Sequence, residues 1–138
     1  MAERRQFVVE RSYVVNTTPE VVFDALGDEV LLGSCLNPLE RVRIAPQAGG
    51  RIGFRDPDLG VVIGRVGEYV RGVRLTWRMV QNWPSVLSFD FVADTSGCRV
   101  DVIQSGFGAL RGVRDDIDQV FSDRWDEWMD AIKTRVED

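Results

Sequence analysis

Residues 114–136 carry the strongest pattern in the sequence, because large apolar side chains recur there at helical spacing among charged ones. The apolar positions are Ile117, Phe121, Trp125, Trp128 and Ile132. This spacing predicts a long amphipathic helix, and its apolar side must lie on another apolar surface. The rest of the chain has to supply that surface, and one face of a sheet is the candidate large enough to do so.

The segments before this helix alternate between strand-like runs and turn residues. β-Branched and aromatic residues at 7–15 predict a first strand, and Thr18 followed by Pro19 predicts the start of a helix. A second short helix is expected over residues 29–32. The later strand-like runs are 41–45, 51–55, 61–70, 73–80, 86–93 and 98–105. Because short turns separate them, these strands must run antiparallel, and we expect a sheet of six to seven strands.

The composition narrows the chemistry that this chain could perform. Its 138 residues fit a single domain, and 17 basic against 22 acidic residues give a net charge of −5, which argues against a nucleic-acid partner. The absence of His excludes Ser-His-Asp and Cys-His catalysis and His-ligated zinc, and Cys35 and Cys98 match no metal spacing. No cofactor or metal is expected. The charged start and the lack of a long apolar run predict a cytoplasmic protein that does not enter a membrane.

The period of two along each strand assigns one face of the sheet to the helix. The inward set is Val9, Arg11, Tyr13, Val15, Ile52, Phe54, Gly64, Val66, Glu68, Leu75, Trp77, Met79, Leu87, Phe89, Phe91, Val100, Val102 and Gln104. The opposite set is more polar, as expected for a sheet with one dry face and one wet face.

Four polar residues fall in this inward set, namely Arg11, Tyr13, Glu68 and Gln104. A buried charge must be paired or solvated, and one hypothesis is that Arg11 and Glu68 line a cavity, where they pair with each other or hold water or ligand. The alternative is structural, with Arg11 near the open edge of the sheet and Glu68 in a salt bridge.

Large apolar side chains could form the walls of such a cavity. They are Phe54, Trp77, Met79, Phe89, Phe91, Trp125, Trp128 and Met129. Core packing is the default role for most aromatic residues. Trp77 and Trp125 are the preferred pocket walls, because we expect them to face each other between sheet and helix. Met79 and Met129 would supply an adaptable wall.

The order of elements resembles the helix-grip fold of the START-like (SRPBCC) superfamily, an α+β fold whose curved antiparallel sheet wraps a long C-terminal helix. Within it, the sequence resembles the activator of Hsp90 ATPase homologues. The stretches that carry the resemblance are residues 18–26, 31–32 ahead of Asn37 and Pro38, 49–56, 64–70, 74–77 and 104–107. It covers nearly the whole chain and implies a cavity for a hydrophobic ligand.

Three functions are compatible with these patterns. The first is non-catalytic binding of a small apolar or amphipathic molecule between the sheet and the C-terminal helix. The second is an enzyme of the cyclase or hydratase type that uses Glu68 and Tyr13 as acid–base groups. The third is a stress-response or co-chaperone-like interaction module. A homodimer is also possible, because the outer sheet face or an edge strand could pair.

Overall fold

A computed structural model describes residues 8–137, and within them it places seven strands and three α-helices in the order that the sequence predicts. Phe7 of the predicted first strand and the charged start lie outside the described residues. The elements are β1 (Val9–Val15), α1 (Pro19–Ala25), α2 (Glu29–Cys35), β2 (Glu40–Ile44), β3 (Arg51–Asp56), β4 (Gly60–Val70), β5 (Arg74–Met79), β6 (Ser85–Asp94), β7 (Gly97–Ser105) and α3 (Ile117–Val136). A short 3-10 helix, Gly108–Gly112, precedes α3.

The seven strands form one sheet in the order β1-β7-β6-β5-β4-β3-β2, and all neighbours are antiparallel. β2 to β7 follow one another as a meander, whereas β1 pairs with β7 from the far end of the chain. The two short helices after β1 and the long α3 complete the α+β helix-grip architecture. This confirms the fold that the sequence predicts.

The short helices begin where the sequence places their caps. The hydroxyl of Thr18 accepts a hydrogen bond from the backbone N–H of Val21, and Pro19 occupies the first turn of α1. The carboxylate of Asp28 accepts hydrogen bonds from the N–H groups of Val30 and Leu31 at 3.1 Å. α2 continues to Cys35, three residues beyond the predicted end at 32.

The core lies between the inner face of the sheet and α3. The α3 side chains Phe121, Trp125, Trp128 and Ile132 are almost fully buried, as their helical spacing predicts. The backbone of α3 runs close to β1 and to both short helices. Large side chains from β3, β5 and β6 fill the space between the rest of the sheet and the helix.

A β-bulge in β4 overturns one predicted face assignment. Val66 lies opposite Trp77 but Tyr69 lies opposite Leu75, so β4 carries one more residue than β5 between these pairs. The extra residue puts Gly67 and Glu68 together on the outer face, where the N–H of Glu68 donates to the hydroxyl of Thr76 at 2.8 Å. A Cβ at position 67 would lie 2.5 Å from that hydroxyl oxygen, so the close approach requires glycine.

Candidate functional site

A chain of aromatic rings runs along the interface between the sheet and α3. The ring of Phe89 packs edge-on against Trp77, with centroids 4.9 Å apart, and against Trp125, with centroids 5.5 Å apart. The ring of Trp128 contacts Trp125 at 5.0 Å and Trp83 at 6.0 Å. Trp77 and Trp125 therefore have Phe89 between them, which corrects the expectation that they face each other directly. Edge-to-face pairs of this kind add to the stability gained by burying the rings.

The remaining predicted wall residues, Phe54, Met79, Phe91 and Met129, are all buried. Phe54 packs against Trp83 with centroids 4.9 Å apart, while Phe91 contacts Phe23 of α1 at 5.4 Å. Met79 is buried on the inner face beside Trp77, and a Cβ on Gly64 would lie 2.5 Å from its sulfur. Met129 is buried on α3. Most of the apolar candidates thus pack against one another, as core residues do.

A buried ion pair that the sequence analysis missed joins the end of β3 to α3. Nη1 of Arg124 donates to Oδ2 of Asp56 at 2.7 Å, and Nε1 of Trp83 donates to the same oxygen at 3.1 Å. The backbone N–H of Asp58 donates to Oδ1 of Asp56 at 2.9 Å. Asp56 is 1% exposed and Arg124 is 8% exposed. The guanidinium also lies 5.9 Å from the ring centroid of Trp128, within cation–π range.

The pKa of Asp56 reflects two opposed effects. Burial is the largest influence and on its own would raise the pKa of this carboxyl. The hydrogen bonds from Arg124, Asp58 and Trp83, together with the charge of Arg124, outweigh it and hold the pKa below its ordinary value. Asp56 is therefore a carboxylate at neutral pH, and it fixes α3 to the sheet.

Two sequence signals could have indicated this pair. Asp56 continues the inward alternation of Ile52 and Phe54 by one more step along β3. Arg124 lies three residues after Phe121 and four before Trp128, so it belongs to the apolar side of α3. A charged residue at each of two apolar positions that meet is the pattern of a buried ion pair.

Three of the four tryptophans donate their indole N–H to a protein acceptor. Trp83 donates to Asp56, Trp125 donates to Oε1 of Gln104 at 2.9 Å, and Trp128 donates to the carbonyl of Asn37 at 2.6 Å. Gln104 is fully buried, and its amide nitrogen lies 3.4 Å from the hydroxyl of Ser85, to which it donates. The predicted inward position of Gln104 is correct, and its polar atoms are already used by the protein.

Trp77 is the exception among the buried indoles of the described residues. Its side chain is 3% exposed, and its Nε1–H has no hydrogen-bond partner. Every other buried side-chain nitrogen or oxygen of residues 8–137 has one. Its cross-strand neighbours are Val66 and Leu87, and Phe89 packs on its ring, so the donor lies among apolar groups. Leaving such a donor unpaired in the protein interior costs about 1–3 kcal/mol.

Arg11 and Tyr13 lie on the inward side of β1, but at its open edge. The hydroxyl of Tyr13 donates to Oδ1 of Asp126 at 2.8 Å, and Nε of Arg11 lies 3.3 Å from the same oxygen. Tyr13, Asp126, Met129 and Lys133 border a shallow cleft of about 250 Å³ between β1 and α3. Burial, followed by the hydrogen bond to Asp126 and its charge, raises the pKa of Tyr13 well above its ordinary range.

Glu68 lies on the opposite face of the sheet from these residues, which corrects its predicted place in the cavity. Its side chain is 58% exposed and forms an ion pair with Arg74, which also binds Asp90 at 2.8 Å. Glu68 therefore forms a salt bridge with Arg74, as the structural alternative in the sequence analysis predicts, and it does not pair with Arg11. It also cannot work together with Tyr13, because the sheet separates their side chains. The acid–base pair of the enzyme hypothesis is not assembled.

The two cysteines lie in the described part of the chain. Cys35 and Cys98 are buried thiols that are not joined in a disulfide, and burial is the main reason that the pKa of Cys98 is raised. Cys, Asp and Glu side chains of residues 8–137 form no group of three or more that could hold a metal ion. In the same residues, the helices are too short or too polar to cross a bilayer.

Comparison with known proteins places this geometry in a family. The family model described as Activator of Hsp90 ATPase homolog 1-like protein matches residues 16–137. No curated protein matches the sequence significantly.

Solved structures with the same fold are distant in sequence. The solution structure of the Aha1 dimer from Colwellia psychrerythraea is 17% identical, with a TM-score of 0.77, over 94% of this chain and 96% of that one. A crystal structure of a Chromobacterium violaceum protein is also 17% identical, with a TM-score of 0.76, over 95% and 98% of the two chains. A third, from Mesorhizobium loti, is 19% identical, with a TM-score of 0.73, over 92% and 94%. At these identities the likeness establishes the fold alone.

Proposed function

Because the chain belongs to the family of Activator of Hsp90 ATPase homolog 1-like proteins, we propose that it binds a small, mostly apolar molecule between the sheet and α3, without catalysing a reaction on it. The ligand carries one hydrogen-bond acceptor, such as a carbonyl or hydroxyl oxygen, and this acceptor binds the indole N–H of Trp77. The remainder of the ligand contacts apolar side chains of β4, β5 and β6.

The unpaired donor of Trp77 carries this proposal. Nearly all buried polar groups in proteins have a hydrogen-bond partner, so each exception calls for an explanation such as a bound water or ligand. Trp83, Trp125 and Trp128 each have a protein acceptor in the same interface. The interior is therefore able to supply acceptors to its indoles, and Trp77 is left without one.

Met79 offers a way to make room next to this donor. It lies two residues from Trp77 on the same face of β5, and its sulfur packs over Gly64. Methionine is unbranched and adapts its shape to what surrounds it. The proposal requires Met79 to take another rotamer, which would vacate part of the volume beside Trp77. Because the described cross-strand and ring neighbours of Trp77 are apolar, the buried end of the ligand is expected to be uncharged.

Catalysis is the less favoured function for reasons of geometry and acidity. Glu68 is on the outer face, and the raised pKa of Tyr13 makes its hydroxyl a poor proton donor or acceptor near neutral pH. The carboxylate of Asp56 is held by four hydrogen-bond donations from Arg124, Trp83 and Asp58, so it is a structural group.

A pair of matched ligands tests the proposal. 2-Acetylnaphthalene and 2-ethylnaphthalene have similar shapes, but only the first has a carbonyl acceptor. We expect both to bind, and the ketone to bind roughly fivefold to tenfold more tightly, as one added hydrogen bond predicts. In a Trp77→Phe variant this preference is expected to vanish. Isothermal titration calorimetry measures all four dissociation constants.

Trp128→Phe is the matched control, because it removes an indole whose N–H already has an acceptor. It should leave the preference for the ketone intact. Native mass spectrometry of the purified protein adds an independent measurement, since a retained natural ligand would appear as extra mass. The proposal is wrong if neither compound binds, or if Trp77→Phe prefers the ketone as strongly as the wild type does.

A further inference from the structure

The outer face of β2 to β5 presents a row of arginines across neighbouring strands. Arg51 lies opposite Arg65 in the β3–β4 pair, and Arg65 lies opposite Arg78 in the β4–β5 pair. Arg43 of the edge strand lies on the same face, and all four side chains are exposed. Three like charges placed side by side across strands repel one another. Such a row destabilises the isolated sheet and favours binding of negative charge.

Apolar side chains lie directly beside this row. Ile63 is 46% exposed, Val61 is 52% exposed and Val80 is 63% exposed. Gly53 is the cross-strand neighbour of Ile63 and adds no side chain, so the surface is recessed there. Depressions of about 380 Å³ and 250 Å³ lie on either side of Ile63. We call the surface formed by Arg43, Arg51, Ile63, Arg65, Arg78 and Val80 the arginine–isoleucine patch.

The guanidinium groups of this patch are not neutralised by carboxylates of residues 8–137. Within those residues, no Asp or Glu oxygen lies within 4.0 Å of Arg43, Arg51, Arg65 or Arg78. Arg65 donates to the carbonyl of Gly49 instead, at 3.1 Å. A neighbouring arginine, Arg55, is paired with Glu40 at 2.8 Å. The patch therefore keeps its positive charge in a protein whose net charge is −5.

The outer face beyond the patch is built differently. Arg99 pairs with Asp101 at 3.1 Å, and Arg74 pairs with both Glu68 and Asp90. A depression of about 500 Å³ over β1 and β7 is also lined by Glu10, so its charges are mixed. Positive charge without a counter-charge is thus a property of the arginine–isoleucine patch and not of the outer face as a whole.

We propose that the arginine–isoleucine patch binds an acidic polypeptide segment of a partner protein. Carboxylates of the segment pair with Arg51, Arg65 and Arg78, and one aliphatic side chain between them fills the recess over Ile63. Guanidinium groups suit this role because they bind carboxylates through two parallel hydrogen bonds. The occupant must carry both acidic and aliphatic side chains, because the patch contains both arginines and exposed apolar side chains.

The shape of the patch favours a polypeptide over a lipid surface. Valine and isoleucine side chains are shorter than arginine side chains, so the apolar residues form the floor and the guanidinium groups form the rim. A flat bilayer would contact the rim and leave the floor uncovered. The face also lacks aromatic side chains that could stack on nucleic-acid bases. A peptide is narrow enough to enter the recess.

A second copy of this chain fits the patch less well. The outer-face acidic residues Glu68, Asp90 and Asp101 are already paired with arginines of the same face. Other exposed acidic residues, such as Asp123 and Glu127, lie on α3, which packs on the inner face of the sheet. The acidic side of α3 and the patch therefore face away from each other on one molecule. Contacts between such opposed surfaces are heterologous and propagate into open chains instead of closing into a dimer.

A direct probe is a fluorescein-labelled peptide of about nine residues, long enough to cross several strands, with leucine at its centre, glutamate at the other odd positions and serine at the even positions. When extended, it presents its glutamates and its leucine on the same side. We expect fluorescence anisotropy to show binding that weakens as salt is added, because exposed charges are screened. The variant Arg65→Glu with Arg78→Glu should weaken binding at least roughly tenfold. Ile63→Ser should weaken it several-fold, with little change in the salt dependence. A lysine–leucine peptide should not bind.

The control is Arg99→Glu with Arg114→Glu, which changes the net charge equally at two exposed arginines outside the patch. It should bind the acidic peptide like the wild type. The proposal is overturned if the control loses binding as strongly as the patch variant does. It is also overturned if phosphatidylglycerol vesicles bind the protein while the peptide does not. Sedimentation that shows self-association abolished by Arg65→Glu with Arg78→Glu would assign the patch to a second copy and overturn it too.

Discussion

Two regions of the interface between α3 and the sheet differ in whether their buried polar groups have hydrogen-bond partners. At one end, Asp56 and Arg124 are both buried, and each finds partners in the other or in nearby groups. Towards the middle of the sheet, the N–H of Trp77 is equally buried and has no partner in the described residues. Both regions are surrounded by aromatic rings, so apolar packing does not explain the difference.

The contrast separates two uses of a buried polar group. A complete set of hydrogen bonds holds α3 at one position on the sheet, because moving the helix would strand a charge in the interior. A buried donor without an acceptor, such as the N–H of Trp77, does not stabilise the fold of the protein in the absence of a ligand. The complete region thus accounts for the architecture, and the incomplete region is where the proposed ligand binds.

The largest effect is expected from removing one partner of the buried ion pair. Arg124→Met leaves the carboxylate of Asp56 buried without its countercharge, which should lower the free energy of unfolding by about 3–5 kcal/mol. Guanidinium chloride unfolding measures the change. Arg114→Met is the control, because Arg114 forms an exposed ion pair with Asp116, and its removal should change stability by less than about 1 kcal/mol. Equal losses in the two variants would contradict the assigned role of Asp56 and Arg124.

Acid should reproduce part of this effect. The pKa of Asp56 is lower in the folded protein than its ordinary value of 3.8, so its charge stabilises the fold fully above that value. This contribution is lost as the pH falls through the folded pKa. We therefore expect the melting temperature of the wild type to fall more steeply below about pH 4 than that of Asp56→Asn.

Other carboxylates with lowered pKa values contribute equally to the melting curves of the wild type and of Asp56→Asn. The hydrogen bonds from Arg71 and Arg114 lower the pKa values of Asp24 and Asp116, and both residues are present in the wild type and in Asp56→Asn. The difference between the two melting curves therefore isolates Asp56. Parallel curves between pH 5 and pH 2 would mean that the carboxylate of Asp56 does not hold α3.

The smallest effect is expected when two tryptophans are compared. Trp125→Phe removes the donor to Gln104 and leaves a buried carbonyl oxygen unpaired, whereas Trp77→Phe removes a donor that has no acceptor. Both changes remove the same atoms, so the difference between them reports the hydrogen bond. Without ligand, Trp125→Phe should be less stable than Trp77→Phe by about 1–2 kcal/mol in urea unfolding. If Trp77→Phe proves the less stable variant, its N–H has an acceptor in the protein.

Local pattern was sufficient to predict most of the fold and much of the inner face. The helical spacing of Phe121, Trp125 and Trp128 predicted α3, and strict alternation placed Trp77 and Phe89 on the inner face. The alternation failed at Glu68 because the bulge adds one residue to β4 after Val66. Gly67 within the strand was the available sign of that bulge.

The site was less predictable than the fold, because it depends on how side chains meet. Asp56 and Arg124 are 68 residues apart, and no local pattern connects them. The position of Phe89 between Trp77 and Trp125 depends on the rotamers of three rings packed from two elements. Arg11 was correctly placed on the inward side of β1, but the sequence could not show that Asp126 would meet it there.

The pairing of β1 with β7 has a consequence for synthesis on the ribosome. Ser12 and Asp101, which hydrogen bond across these strands, are separated by 89 residues. β1 is made early, yet it cannot join the sheet until β7 has left the exit tunnel. The nascent chain must therefore keep its first strand unpaired while the residues between β1 and β7 are synthesised, a period in which unpaired strand edges are prone to aggregate.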